Sequence, residues 1–300
     1  MAKILTNSQI EDYNTNGFLA VKNVFTPSEV KELQDVTDEF VEKSRNLKES
    51  NNDFDIDLKA GHSFETPKLR RIMSPDKHHP IYERANKNPK LLDIIEQLIG
   101  PDIRYHHTKL NNKAPGGGAQ VEWHTDWGFY PHTNDDILEV GVAIDPMTLE
   151  NGALMVVPGS HKGPAYDHHE NGVFVGAVNI SDVDLDSAKS IILEVGDISL
   201  LHVRGLHGSE PNRSSKSRRL LLMGYTAADA FPISGYGDWN LWQSNMLRGE
   251  GRNIPRFNGA PVRIAEPPPE GRNTIFQIQE ELETSHFKDC LLYTSDAADE

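Results

Sequence analysis

From residue 103 onward the chain is a succession of short runs rich in β-forming residues, broken by turn residues. The runs fall at 103–110, 121–124, 137–144, 153–157, 191–195, 198–203 and 218–226. Many short strands at such spacing argue for an antiparallel sandwich or barrel. Gly196-Asp197 reads as a hairpin turn between two of the runs. No internal repeat accompanies them, so the fold is expected to be mainly β and not a repeat array.

The first hundred residues have a different texture and read mainly as helices. Thr26-Pro27-Ser28-Glu29 combines an N-cap, a proline at the first helical position and a glutamate three residues after the cap, and Val30, Leu33, Val36, Phe40 and Val41 follow at helical spacing. Asn88-Pro89 opens a second helix with Leu91, Leu92, Ile94, Ile95 and Leu98 on its buried side, closed by Gly100-Pro101. The polar, acidic stretch 49–61 between them reads as a mobile loop. Helices gathered at one end of such a chain are expected to pack on the outside of the β core. After Phe231 the sequence turns rich in Pro, Gly, Trp and Arg, which predicts long loops over the core.

Composition narrows the function classes. Among 300 residues, 45 are acidic and 30 basic, a formal net charge of −15. That balance disfavours nucleic acid and anionic membrane surfaces as partners, so any anionic ligand must be held by a few local basic residues. No apolar run approaches the twenty residues of a membrane span. Met1-Ala2-Lys3 runs straight into polar sequence, so no secretory signal is expected and a cytoplasmic location follows. Oligomeric state leaves no trace in composition. The last eleven residues, CLLYTSDAADE at 290–300, read as translated sequencing-adaptor DNA rather than the end of a domain. Setting them aside removes Cys290, the single cysteine, together with Asp296, Asp299 and Glu300, leaving 42 acidic residues and a net charge of −12. Either way there is no disulfide framework and no cysteine nucleophile.

His124-Thr125-Asp126 is the one His-x-Asp in the chain, and period-two alternation puts both side chains on one face of a strand end. His207 follows 83 residues later, just after another strand. Two imidazoles and one carboxylate on one face of a metal leave positions open, as Fe(II) needs in order to bind a bidentate keto acid and then O2. Zinc hydrolysis sites use the same donors, so the three residues alone do not choose the metal. Arg218, eleven residues after His207, starts the next strand. A metal ligand and an inward arginine on neighbouring strands suit a dicarboxylate such as 2-oxoglutarate, the metal taking the keto-acid end and the guanidinium the far carboxylate. Arg219 is adjacent, and alternation lets only one of the two point inward; Arg218 has the better spacing.

Three segments carry a resemblance to a known family: WHTDW at 123–127, ENGALMVVPGSHKG at 150–163, and HGSEPN at 207–212 followed by Arg218. Together they resemble the phytanoyl-CoA dioxygenase family, over roughly residues 5–231. The resemblance implies a double-stranded β-helix, a jelly-roll variant, with N-terminal helices packed outside. It implies one oxygenase domain over 1–289, divided into a helical part to about residue 100, a jelly-roll core at about 103–230 and a loop-rich extension at 231–289. It further implies His124, Asp126 and His207 as iron ligands, Arg218 paired with the distal carboxylate of 2-oxoglutarate, and Ser209 hydrogen-bonded to it. Lys109, in HTKLNNK, and Tyr130 fall near pocket positions of the family. Asp126 itself bears on the outcome, because related halogenases replace this carboxylate with a small residue. Hydroxylation of an aliphatic C–H in a small-molecule metabolite, with release of succinate and CO2, is the implied reaction. A zinc-type metallohydrolase and a non-catalytic jelly-roll binding protein are the rivals.

Other conspicuous residues have plainer readings. His202, inside an apolar strand, is expected to be a core residue or a support for a ligand. The pairs His78-His79, His106-His107 and His168-His169 lack a carboxylate at ligand spacing and read as solvated loop or strand residues. Gly116-Gly117-Gly118 precedes no helix and has no lysine of a phosphate loop. Pro158 to Lys162 reads as a tight turn after a buried strand. Trp127, Phe129 and Tyr130 suit either core packing or substrate contact.

Overall fold

The computed structural model describes residues 3–116, 120–181 and 183–289; the tail 290–300 and Gly117-Gly118 lie outside them. In chain order, α1 (Asn7–Asn16), β1 (Phe18–Val21) and α2 (Pro27–Ser44) are followed by β2 (Phe54–Ile56), β3 (Leu69–Met73), α3 (Pro80–Asn86) and α4 (Pro89–Ile99). The strands β4 (Ile103–Lys113), β5 (Val121–His124), β6 (Ile137–Ala143) and β7 (Leu154–Val156) come next, then β8 (His169–Glu170), β9 (Val173–Phe174) and β10 (Lys189–Ile191). The core closes with β11 (Ile198–His202), β12 (His207–Ser209) and β13 (Arg218–Ala227), and the C-terminal extension adds α5 (Trp239–Ser244), β14 (Met246–Arg248), α6 (Ile275–Ile278) and α7 (His286–Asp289).

The strands form two principal sheets. The major one runs β1-β11-β6-β13-β4-β3-β2 with β14 beside β4, and the minor one runs β10-β7-β12-β5. This is the mainly β, jelly-roll arrangement expected of the sequence. The two faces of the major sheet are chemically distinct because side chains alternate along each strand. Leu110, Val140, Val142, Leu200, Leu221 and Met223 face outward and join Leu33, Leu91, Ile94 and Ile95 of the helices in one apolar cluster. On the inward face, Ala143, Leu201 and Leu220 meet Val156 and Ile191 of the minor sheet. The helices therefore cover the outside of the major sheet. Each fully buried Leu or Ile of α4 contributes about 1.5–3 kcal/mol, as an upper estimate.

Several local expectations need correction. The first hundred residues are not only helical: β1 pairs with β11, and β2 and β3 extend the major sheet. The acidic stretch 49–61 contains β2, held because buried Asp55 receives two hydrogen bonds from Arg70 at 2.9 and 3.1 Å. Gly196-Asp197 is a turn, with Gly196 at φ +84°, yet the strands it joins do not pair with each other. β10 belongs to the minor sheet and β11 to the major one. The turn carries the chain between sheets, and Gly196 O accepts from the amides of Val24 and Phe25 just before α2.

The start of α2 is as the sequence predicts. Thr26 accepts from the Glu29 amide, and the Glu29 carboxylate accepts from the Thr26 amide at 2.7 Å. Replacing Thr26 by Ala removes half of this reciprocal cap, and we expect a loss of about 1 kcal/mol in urea unfolding with activity unchanged.

Candidate active site

The two sheets enclose a cavity of about 320 Å³, and residues from both line it. His207 opens β12 directly opposite His124, the last residue of β5, so the register of this short pairing sets the two imidazoles side by side with ring centroids 4.0 Å apart. Asp126 does not continue the strand. It begins a single 3-10 turn at Asp126–Gly128, which returns its carboxylate to the same face. Ligand atoms of His124, Asp126 and His207 all lie within 4.8 Å of one another, and all three residues are buried.

Backbone carbonyls orient both imidazoles. His124 Nδ1–H donates to Glu122 O at 2.8 Å and His207 Nδ1–H to Gly205 O at 2.9 Å. Each ring therefore keeps its proton on Nδ1 and presents an Nε2 lone pair inward, the tautomer a metal requires. Burial and the neighbouring His207 hold His124 well below the usual histidine range, which keeps it neutral. Donor set, orientation and separation fit a 2-His-1-carboxylate metal centre with open positions.

Turns on either side keep the short strands in place. His168, read from sequence as a solvated residue, is buried, and its Nε2 accepts from the amide of Thr125 at 3.0 Å, between two members of the group. The Pro158–Lys162 segment is a turn that also braces the neighbouring strand, because Ser160 Oγ accepts from the Leu206 amide at 2.8 Å, one residue before His207. His202 lies away from the group, its ring tilted against those of His161 and Tyr13. His79 caps α3 through Nδ1, whereas His78 packs on Phe54. Trp127 is buried and donates to Pro261 O at 2.9 Å, while Phe129 and Tyr130 line the cavity.

The floor of the cavity is basic. Arg218 points inward, buried, with Nη2 donating to Gly152 O at 2.9 Å and Nε without a partner. Arg219 points outward onto Asp145 and Asp38. Ser209 Oγ accepts at 2.7 Å from Lys113 Nζ, a residue not singled out from sequence. Lys113 is buried, also donates to Glu210 O, and has its ammonium pushed well below the usual lysine range by burial and then by Arg218. Burial likewise lowers Arg218 to about 10, which leaves it charged at neutral pH. Lys109 Nζ lies 3.9 Å from Asp126 Oδ1 at the mouth of the metal group.

A second cluster was missed from sequence. His106 and His107, expected to be solvated strand residues, both line the cavity with Glu139 of β6. Strict alternation would send one of them outward. The β4–β13 ladder has a bulge here, Gly224 pairing with His107 and Tyr225 with Tyr105, so His106 is the extra residue and both rings turn inward. Tyr130 Oη donates to Glu139 Oε1 at 2.8 Å, His107 Nε2 is 3.1 Å from the same oxygen, and the two Nδ1 atoms of the histidine pair are 2.9 Å apart. Burial pushes the Glu139 carboxyl up, but His107, Lys109 and the hydrogen bonds from His107 and Tyr130 outweigh it and hold the group below the usual carboxylate range.

Known proteins place this geometry. A family profile described as phytanoyl-CoA dioxygenase (PhyH) matches residues 13–220. The probable alpha-ketoglutarate-dependent hypophosphite dioxygenase of Stutzerimonas stutzeri is 35% identical over 285 residues, covering 93% of this chain and 99% of that protein. The peroxisomal phytanoyl-CoA dioxygenase of Rattus norvegicus is 27% identical over 255 residues, covering 82% and 74%. Among solved structures, iron-bound EctD from S. alaskensis has a TM-score of 0.67 at 20% identity, covering 84% of this chain and 90% of that one, a likeness of fold. The relatives and the histidine–histidine–aspartate group together define an iron- and 2-oxoglutarate-dependent dioxygenase and do not favour a zinc hydrolase or a binding protein without turnover. Within that class, the chain belongs to the phytanoyl-CoA dioxygenase family.

Gly224 makes the bulge possible: a Cβ there would stand 2.7 Å from His107 Cε1 and 2.9 Å from Glu139 Oε1. We expect Gly224→Ala to cost about 1–3 kcal/mol through this overpacking, measured by urea unfolding. Wild-type stability would show that His107 moves aside freely.

Proposed function

We propose that His124, Asp126 and His207 hold Fe(II), and that Arg218, Lys113 and Ser209 hold the distal carboxylate of 2-oxoglutarate. The observation that carries this reading is the pairing of a preoriented three-donor group with two buried basic side chains, Arg218 and Lys113, in one cavity. Buried charges require compensation, and a carboxylate between the guanidinium, the ammonium and the Ser209 hydroxyl would supply it. Bound in the group, ferrous iron would supply the oxidising chemistry, with O2 and 2-oxoglutarate consumed and succinate and CO2 released. The protein's own part is to orient the keto acid from its far end and to exclude water.

Lys109 and Tyr130 sit on the side of the cavity away from that floor. Lys109, beside Asp126, is suited to an anionic group close to the metal, whereas Tyr130 is committed to Glu139 and braces the cavity wall. The substrate is a small molecule oxidised at a bond to hydrogen. An aliphatic C–H is one reading. The name of the S. stutzeri relative, which covers almost the full length of both chains, supports a second, oxidation of hypophosphite at P–H. A cytoplasmic setting suits ferrous iron and a chain with a single cysteine. No helix of the described residues is long and apolar enough to cross a membrane.

Succinate formation with Fe(II), ascorbate and 2-oxoglutarate tests the reaction, with hypophosphite and a panel of aliphatic metabolites as separate arms. No succinate in any arm, together with no calorimetric binding of 2-oxoglutarate, would refute it. Asp126→Ala and His207→Ala should each lower bound iron well below one equivalent by elemental analysis and abolish succinate release. Arg218→Met should raise the KM for 2-oxoglutarate about 10- to 100-fold, the equivalent of losing a charged hydrogen-bonded pair. Lys113→Met should act in the same direction while leaving iron content unchanged.

A further inference from the structure

The cavity carries more positive charge than iron and 2-oxoglutarate account for. Arg71, Lys109, Lys113 and Arg218 line it against the carboxylates of Asp126 and Glu139. A ferrous ion and a 2-oxoglutarate dianion cancel, which leaves a surplus of two positive charges. Were Lys113 neutral, one would still remain. A low-dielectric cavity with such a surplus favours an anion as its third occupant.

Two of the four cations are separate from the Arg218–Lys113 pair: Lys109 lies four residues before Lys113 on β4, and Arg71 sits on β3 opposite Asn111. Arg71 is 6% exposed and its Nε has no hydrogen-bond partner. Its neighbours by charge are first Asp55, which Arg70 also holds, and then Asp126, Tyr130 and Glu139 in the cavity. The bulged His106-His107 pair faces the same space, and its internal Nδ1 contact makes one ring the donor and the other the acceptor. Burial, then His107 and His132, hold His106 well below the usual histidine range, so in the free protein it is neutral; an arriving anion would bring the proton to Nε2 with it, and Glu139 Oε1, beside His107 Nε2, would share the compensation. Resting on the iron and 2-oxoglutarate reading above, we propose that His106 and His107, flanked by Lys109 and Arg71, form a subsite for the oxygens of the substrate, which is a compact oxyanion bearing hydrogen on its central atom.

A second metal ion is the other occupant that two histidines and a glutamate suggest. Lys109 and Arg71 argue against it, because the charge of Lys109 acts on both His106 and Glu139 and that of Glu139 on Arg71. Two fixed cations facing a donor group disfavour a dication and favour an anion. Size points the same way: about 320 Å³ is at the lower end for a single drug-sized ligand, and here 2-oxoglutarate shares it. For hypophosphite the balance is H2PO2⁻ + 2-oxoglutarate + O2 giving HPO2(OH)⁻ + succinate + CO2. One oxygen atom enters the P–H bond and the other enters succinate, and the keto acid provides the remaining two electrons.

The test is calorimetric titration of the anaerobic enzyme loaded with Fe(II) and 2-oxoglutarate, using hypophosphite, phosphite, sulfite and formate as probes, with metal content measured on the same samples. We expect hypophosphite to bind and phosphite to compete with it. His107→Gln and His106→Phe should each weaken hypophosphite at least 10-fold while the Kd for 2-oxoglutarate stays within 2-fold and iron remains at one equivalent. Wild-type binding of hypophosphite by both variants, or no binding of any probe by wild-type enzyme that has taken up iron and 2-oxoglutarate, would overturn the subsite. A second metal equivalent lost in His107→Gln would overturn it in favour of a metal. Failure of the wild type to bind iron and 2-oxoglutarate would instead refute the parent reading.

Discussion

The pairing of β5 with β12 is the constraint on which the site depends. Two strands of four and three residues meet with His207 opposite His124, and a one-residue slip would send one imidazole to the other face of the minor sheet. Strands so short hold little register by themselves. The register is held at its ends: His168 fixes the Thr125 amide, Ser160 fixes the Leu206 amide, and Trp127 N donates to Val203 O at 3.0 Å. The minor sheet is a narrow platform clamped by turns, and the metal group is mounted on the clamps.

The major sheet does the opposite work. Its long strands are bonded on both sides and backed by helices, so they can carry ionised side chains inward without loss of order. Arg218, Lys113, Lys109, Arg71 and Glu139 all project from it into the cavity. Burying that many charges is unfavourable in the empty protein, and the penalty is relieved where an ion of opposite sign arrives. The electrostatic cost of the apo cavity is therefore coupled to ligand affinity.

The C-terminal extension completes the enclosure. Asn273, Ile275 and Ile278 line the cavity, and Thr274 Oγ1 donates to the Asp55 carboxylate at 2.9 Å, the same group that Arg70 holds. Further along, Ser285 Oγ donates to Glu122, next to the strand end that bears His124. Asp55 of β2 and Glu122 of β5 thus anchor a segment with little regular structure beside the site.

By itself the sequence determined what depends on local geometry. The capping box at Thr26, the runs that became β5, β6 and β13, and the His-x-Asp motif are all properties of a few consecutive residues, whereas alternation required only that one of Arg218 and Arg219 turn inward and spacing favoured Arg218. Tertiary structure alone decided what depends on a partner strand. His106 and His107 share a face because of a bulge that Gly224, on another strand, leaves room for; Lys113 became part of the floor because Ser209 and Arg218 meet it there; and residues on either side of Gly196 joined different sheets because β1, β6 and β7 were available to pair with them. Period-two alternation is set by the chain's own backbone, whereas bulges, sheet membership and the company of a buried charge are set by residues far away in sequence.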